Sequence, residues 1–540
     1  MKRYLSIFCL LILIGNFAYT QKAFTHQDTL RGSITEERAW WDVVYYHLNV
    51  NVNIQNKTLS GRNLIRYKVL NQHQILQIEL QQPLTISRVL QDGKALTFQQ
   101  DGYSYFITLL KKQTVGSINE LTVFYEGKPQ ESKNPPWSGG LTWEKDSAGN
   151  DWVVTTSQGD GASLWWPNKD HAYDEPDSMQ ISITAPKHLT AIANGKLKGI
   201  VNNPTSKTYH WMVSNPINNY GVNMNIGNYV HYGETYQGLK GNLNCSYYVL
   251  EGNLIKAKKQ FKEVPKMLAA FEHWFGPYPF YEDGYKLVEV PYAGMEHQSS
   301  VTYGNGFENG YLGKDVSGTG WGMKFDFIIV HESGHEWFAN SITHQDVADM
   351  WIHESFTSHA ESLFLAYYFG EQACNAYVIG TRKNILNDKP IIGTYNVHNE
   401  GSADMYYKGS NVLHMLRKLV DDDAKWRSIL SGLNQTFYHQ TVTSKQIEDY
   451  LSEHTGLNLT PFFDQYLRTV KIPVLAYKIK DDEMKYCYQH VVSGFDFPVK
   501  IKVAKKTTWI YPKTEWQTLK TTQKITFDPN FYIDYKQVMD

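Results

Sequence analysis

His331 and His335 stand four residues apart with Glu332 beside the first of them, and Glu354 follows nineteen residues after the second. Histidines four apart on a helix point the same way, so both imidazoles can grip one metal ion. Glu332 lies about 100° of helical rotation beyond His331 and can reach a water at the metal without being a ligand. A catalytic zinc shell takes three protein ligands and keeps one position open, and Glu354 can supply the third. The short histidine motif alone arises by chance in about a few per cent of chains this long, and one glutamate at a fixed downstream position cuts that about twentyfold. The pattern therefore calls for one zinc ion per chain, held by His331, His335 and Glu354, with Glu332 as general base.

Those residues need helices to aim them. Phe327-Ile328-Ile329-Val330 precedes the motif and Trp337-Phe338-Ala339 follows it, and together they read as one buried helix. Glu354 to Phe369 reads as a second, with Phe356, Leu363, Phe364 and Tyr367 as its apolar stripe. Gly334 falls inside the first helix, where it costs about 1 kcal/mol against alanine, and it leaves room there for a close neighbour. Without Glu354, the same two histidines would read as a hydrogen-bonded core pair.

Around this centre, residues 40–232 alternate apolar and polar side chains, as in Leu48-Asn49-Val50-Asn51-Val52, with breaks such as Asn134-Pro135-Pro136. That is the pattern of half-buried antiparallel strands. Helical periodicity dominates from about residue 253 to 470, with an interruption expected at Pro265 and a further helix beginning at Asn411. Short alternating segments return after Pro473. The chain thus divides into a signal segment over residues 1–20, an N-terminal antiparallel β-sheet domain over 21–232, a mainly helical catalytic domain over 233–470 and a small C-terminal β module over 471–540, an α+β multidomain protein.

Lys2 and Arg3, an apolar run from Tyr4 to Gly15, and Ala18-Tyr19-Thr20 form a secretory signal pattern, with Gln21 as the new N-terminus. Export to the periplasm or the exterior is expected, with no stable membrane span once the signal is removed. Cys245, Cys374 and Cys487 then remain, allowing at most one disulfide. A formal net charge of -2 with no block of like charge speaks against nucleic acid as a partner.

Three separated segments resemble one family. The zinc motif with its distant glutamate, Ala293-Gly294-Met295-Glu296-His297 upstream and Tyr406-Tyr407-Lys408-Gly409 downstream are similar to the metal, G-A-M-E-N and Y-E-K-G segments of the gluzincin aminopeptidases, the family of aminopeptidase N and leukotriene hydrolase. Gln158, nine residues before Pro167 and ahead of Asp174-Glu175-Pro176, is a fourth match. The resemblance runs from about residue 40 to 475 and implies a thermolysin-like catalytic domain. It implies that Tyr406, rather than Tyr407, donates a hydrogen bond to the carbonyl oxygen as charge develops there. Glu296 and Gln158 would hold the free α-ammonium of a peptide substrate, and Ala293 and Gly294 would offer backbone groups to it. Four positions depart from the family: His297 for Asn, His353 for Asn, Ser355 for Gly and Glu336 for Gln.

The expected activity is that of a secreted zinc aminopeptidase acting on peptides with a free N-terminus. Two other readings compete with it. His297 leaves room for an endopeptidase or a peptidase that also opens epoxides, and the adjacent Trp165 and Trp166 could serve a non-catalytic scaffold that stacks on glycans or peptides. Asp349, Glu336 and Glu361 all lie near enough in sequence to back the metal histidines, with nothing in the sequence to choose among them.

Overall fold

The computed structural model describes residues 23–539, so the expected signal segment lies outside the described residues. Alternation becomes strand as read: Trp41–Asn53 buries Leu48, Val50 and Val52 while the residues between face outward. It sits in a ten-stranded sheet in which all pairs are antiparallel except one, where Tyr45 lies opposite Ser178 in a parallel pair with Ser178–Pro186. A second, four-stranded sheet carries Asp151–Thr156, the strand that leads into Gln158. Both sheets close over a shared core that contains Trp41, Tyr46, Trp165 and Trp166. The two adjacent tryptophans are fully buried. They are therefore packing residues and offer no exposed stacking face, which removes the feature that suited a glycan-binding scaffold.

The strand Tyr229–Gly238 crosses the division drawn at 232 and pairs with Gly241–Leu250. Both belong to the five-stranded sheet of the second domain, whose edge strand is Gly294–Met295. A shift in composition marks where helices start, and here two strands of the same domain come before them. Met295 on that edge packs into the N-terminal core, where Thr156 Oγ1 touches its sulfur at 3.1 Å. The two domains are thus joined beside the candidate site.

Helices dominate residues 254 to 467, with short strands between them, and several differ from expectation. The break in the first helical stretch falls at Phe261, ahead of Pro265, which sits in the first turn of Glu263–Phe275, where its missing N–H costs nothing. The helix carrying the histidines spans Phe327–Gly334 and stops at His335 instead of running through Ala339. Phe338 and Ala339 leave helical geometry altogether, with φ of -124° and 156°. The glutamate helix spans Trp351–Phe369, with Phe356, Leu363 and Phe364 buried, while Tyr367 is 43% exposed and lies outside the stripe. The tyrosine helix starts at Tyr407, four residues earlier than Asn411. Beyond them, residues 474–537 form a four-stranded and a three-stranded sheet that share the catalytic core. Cys245, Cys374 and Cys487 are buried and unpaired. No described helix is long and apolar enough to cross a membrane.

One buried ion pair locks the loop that follows Gln158. The Lys169 ammonium meets the Asp174 carboxylate, donates to Trp41 O at 2.6 Å, and lies 4.2 Å from the Trp41 ring centre, all out of solvent. Removing one partner strands the other charge in the core. Lys169→Ala should therefore lower unfolding stability by about 3–5 kcal/mol in a urea titration. Replacing both partners with apolar residues should lose clearly less, and equal losses would contradict the pairing.

Candidate active site

Asp326 caps the histidine helix by accepting the Ile329 N–H, and is itself held by Gln260, Tyr303 and Asn305. The glutamate helix packs across it at Gly334, where a Cβ would stand 3.0 Å from Thr357 Cγ2. The glycine's cost in helix propensity is thus the condition for close packing. As a result Glu354 Oε2 lies 3.5 Å from His331 Nε2 and 3.4 Å from His335 Nε2. Those separations are too long for charge-assisted hydrogen bonds, and Oε2 is buried with no hydrogen-bond partner. They match neighbouring ligands in a tetrahedral zinc shell, which bonds of about 2.0–2.1 Å would set about 3.3 Å apart. The three donor atoms all fall within 4.8 Å of one another, so the residues fit the ion.

Each histidine has its other nitrogen occupied. His331 Nδ1 donates to Glu361 Oε1 at 2.7 Å, and Glu361 Oε2 accepts from the Tyr377 hydroxyl at 2.6 Å. His335 Nδ1 donates to Phe338 O at 3.0 Å, a carbonyl freed by the break in the helix, with Thr357 Oγ1 also 3.0 Å away. Both rings therefore turn Nε2 toward Glu354. Of the three acids near in sequence, only Glu361 backs a metal histidine. It sits seven residues after Glu354, two turns along the same helix face. Asp349 instead accepts from Ser444 and Tyr395.

One cavity of about 260 Å³ is lined by all nine expected site residues: Gln158, Ala293, Gly294, Glu296, His331, Glu332, His335, Glu354 and Tyr406. Pro136, Trp137, Tyr311, Phe327, Ile328 and Tyr407 complete its walls. Pro136, Trp137 and Tyr311 were not foreseen, because no spacing connects them to the metal motif, whereas Phe327 and Ile328 stand one turn before His331 and Glu332 on the same helix. Gly294 lies against the histidine helix, and a Cβ there would approach Glu332 Cγ to 2.9 Å. Gly294–Met295 is the edge of its sheet, with its other side paired to Val301–Tyr303. The Ala293 carbonyl is already taken by the Gly304 N–H at 2.7 Å, which leaves the outer side of the strand for an added chain.

The electrostatics follow from burial. Burial raises Glu332 to about 7, the range for a general base. Burial would raise Glu354 as well, but His335 and His331 outweigh it and hold its carboxyl below the usual range. Glu296 is raised, again mainly by burial. Tyr406 stacks on His331 with ring centres 6.0 Å apart, and burial and Glu354 push its phenol well above the ordinary value, so it stays an O–H donor. Tyr407 lines the same cavity but has no such stack on a metal histidine.

The four departures from the family sit behind the cavity rather than in its wall. Glu336 accepts the Ser299 N–H at 2.8 Å and the Tyr278 hydroxyl at 3.1 Å. It thereby holds Ser299 in the left-handed region, with φ of 51°. His297 is fully buried and meets Thr302 Oγ1 at 3.3 Å, and burial lowers its pKa to about 3. His353 Nε2 accepts the His344 N–H at 2.9 Å. Ser355 Oγ donates to Met405 O at 2.7 Å, next to Tyr406. A Cβ on Gly409 would stand 1.9 Å from that same Oγ, so Ser355 and Gly409 set how closely the tyrosine helix approaches. Asn340, another unforeseen residue, donates to Glu296 O at 2.9 Å and anchors the loop that carries Glu296.

A model of the peptidase family M1 domain matches residues 260–466. Aminopeptidase N of Lactococcus lactis subsp. lactis is 23% identical over 521 residues, covering 88% of this chain and 56% of that protein. Probable aminopeptidase 2 of Sulfurisphaera tokodaii is 21% identical over 417 residues, covering 74% and 51%. The chain thus spans about half the length of these relatives. A mutant M1 zinc metallopeptidase from Deinococcus radiodurans, solved with Tyr-Ser-Ala, shares the fold at a TM-score of 0.67 and 20% identity, with 81% of this chain and 96% of that one covered.

Two measurements probe this geometry. Glu361→Ala should weaken zinc binding about 10–100-fold in a chelator competition, and an unchanged affinity would remove Glu361 from its supporting role. Gly409→Ala should cost about 1–3 kcal/mol through overpacking, read by thermal unfolding. Adding Ser355→Gly should recover most of that, whereas equal losses in single and double variants would contradict the contact.

Proposed function

We propose that this chain, whose residues 260–466 match the peptidase family M1 domain, is an exported zinc aminopeptidase that removes the N-terminal residue of peptides. One observation carries the reading: Glu296 and the zinc ligand Glu354 are bridged by Gln158, whose Nε2 lies 2.8 Å from Glu296 Oε1 and 3.1 Å from Glu354 Oε1. A site for an ammonium ion is thereby set one carboxylate away from the metal. An ion pair of that kind, fully hydrogen-bonded and out of water, fixes the substrate's amino end at one distance from the reacting carbonyl. Export rests on the basic and apolar N-terminal pattern of residues 2–20.

His331, His335 and Glu354 would hold the zinc, which when bound polarises the peptide carbonyl and lowers the pKa of water. Glu332 takes a proton from the attacking water and passes it to the leaving amine. Tyr406 donates its O–H to the carbonyl oxygen as negative charge grows there. Glu296 and Gln158 hold the α-ammonium, and the outer side of Gly294–Met295 lines up the peptide backbone. His297, which left room for an endopeptidase, points to Thr302 and away from the cavity wall. The exopeptidase reading is therefore the one the walls support.

The test is a panel of aminoacyl and peptide substrates, free and N-acetylated, with and without chelator. Free substrates should be cleaved, acetylated ones should not, and chelator should abolish turnover. Glu332→Gln should lower kcat by about 10²–10⁴-fold, and Tyr406→Phe by about 10²–10³-fold. Cleavage of acetylated or internal bonds at comparable rates would overturn the exopeptidase assignment.

A further inference from the structure

Gln158 makes a contact that its place in the substrate site does not require. It comes from the N-terminal domain, two residues after the strand Asp151–Thr156, yet its single NH2 group donates to one oxygen of Glu296 and to one oxygen of the zinc ligand Glu354. Electrostatics set the orientation of the amide, since its oxygen, turned inward, would face two carboxylates and accept nothing. The two acids are buried, and Glu354 turns its other oxygen to both metal histidines. An α-ammonium docking between the same acids brings three N–H donors and a full positive charge to the spot the amide NH2 now fills.

We propose that Gln158 is a stand-in for the substrate's ammonium group: in the free protein its amide bridges Glu296 and Glu354 and so orients the zinc ligand, and an incoming ammonium takes over that bridge. Gln158 is then a positioning residue for the metal as well as a substrate contact, and this assignment rests on the zinc aminopeptidase reading. The physical need is plain. Two buried carboxylates side by side, with no donor between them, repel and turn apart. With Gln158 in place, Glu354 keeps its rotamer while the site is empty. With an ammonium in place, the amide is dispensable for that purpose. Zinc affinity should therefore depend on Gln158 in the empty site and much less in the amine-bound site. By linkage, an amine ligand should strengthen zinc binding more when the amide is missing than when it is present.

The experiment measures zinc affinity by competition with a chelating indicator for wild type, Gln158→Ala and Gln158→Met. Each is measured alone, with L-leucine and with N-acetyl-L-leucine. Gln158→Met keeps the length of the side chain, which separates loss of the NH2 group from loss of packing. Without ligand, both variants should bind zinc about tenfold more weakly than wild type. L-leucine should restore most of that loss, and N-acetyl-L-leucine, which keeps the carboxylate but lacks the ammonium, should restore none. Unchanged zinc affinity in the variants overturns the proposal, as does a loss that L-leucine leaves untouched, which is what a purely structural glutamine would give. A wild-type protein that binds no zinc sinks the aminopeptidase reading itself, before Gln158 is at issue.

Discussion

Three helices have to touch for this site to exist. Glu354 reaches both histidines only because the glutamate helix lies directly on the histidine helix at Gly334, and Tyr406 reaches the cavity only because the tyrosine helix lies on the glutamate helix at Gly409. Ligand donors spaced 3.4 to 3.5 Å apart tolerate little helix displacement. Close packing in a protein core transmits a methyl group's worth of crowding as backbone movement rather than absorbing it. The small residues at the two contacts, Gly334 against Thr357 and Gly409 against Ser355, are where the metal geometry is set.

The second demand is electrostatic. Glu296, Glu332, Glu354 and Glu361 are all buried around two imidazoles. Such a crowd of acids costs less when its members share donors and counter-charges, and burial pushes Glu332 up to about 7. Glu361 has His331 and Tyr377, Glu354 has the metal position and Gln158, and Glu296 has Gln158. The positions that differ from the family form a layer behind these acids: Glu336 on Ser299, His297 on Thr302, His353 on His344, Ser355 on Met405. They alter what supports the loop and the helices and leave the groups that face the cavity in place.

The convergence of His331, His335, Glu354 and Glu332 and the strand-rich N-terminal half were legible in the sequence because a regular element turns spacing into direction. His331 and His335 four apart, or Leu48, Val50 and Val52 two apart, say which way a side chain points once the element is known. What escaped was set by contacts between distant segments or by backbone that leaves regularity. The turn at Phe338 and Ala339 sits inside an apolar run that reads as helix, and the carbonyl it frees at Phe338 goes to the His335 ring, a pairing that hydrophobic periodicity does not encode. Asn340 on Glu296 O and Glu336 on Ser299 N pair a side chain with a main-chain group some forty residues away, and no periodicity encodes that. Glu361 lay between the two cases, since its face was readable from Glu354 but its partner His331 required the crossing of two helices. The tryptophans at 165 and 166 show the limit of composition, because aromatic side chains that could stack on a ligand are equally the ones that fill a core.

The cavity is drawn from both domains, from Gln158 on the early strands to Tyr406 near the end of the catalytic core. The groups that would cut a peptide therefore reach one another only once the two domains have docked. Without that docking, Glu296 and Glu354 have no amide between them and the cavity lacks the Gln158 side of its wall. The same division of labour that lets the N-terminal domain reach into the metal shell makes the seam between the domains part of the site, so any change in how they dock changes what Glu296 and Glu354 meet.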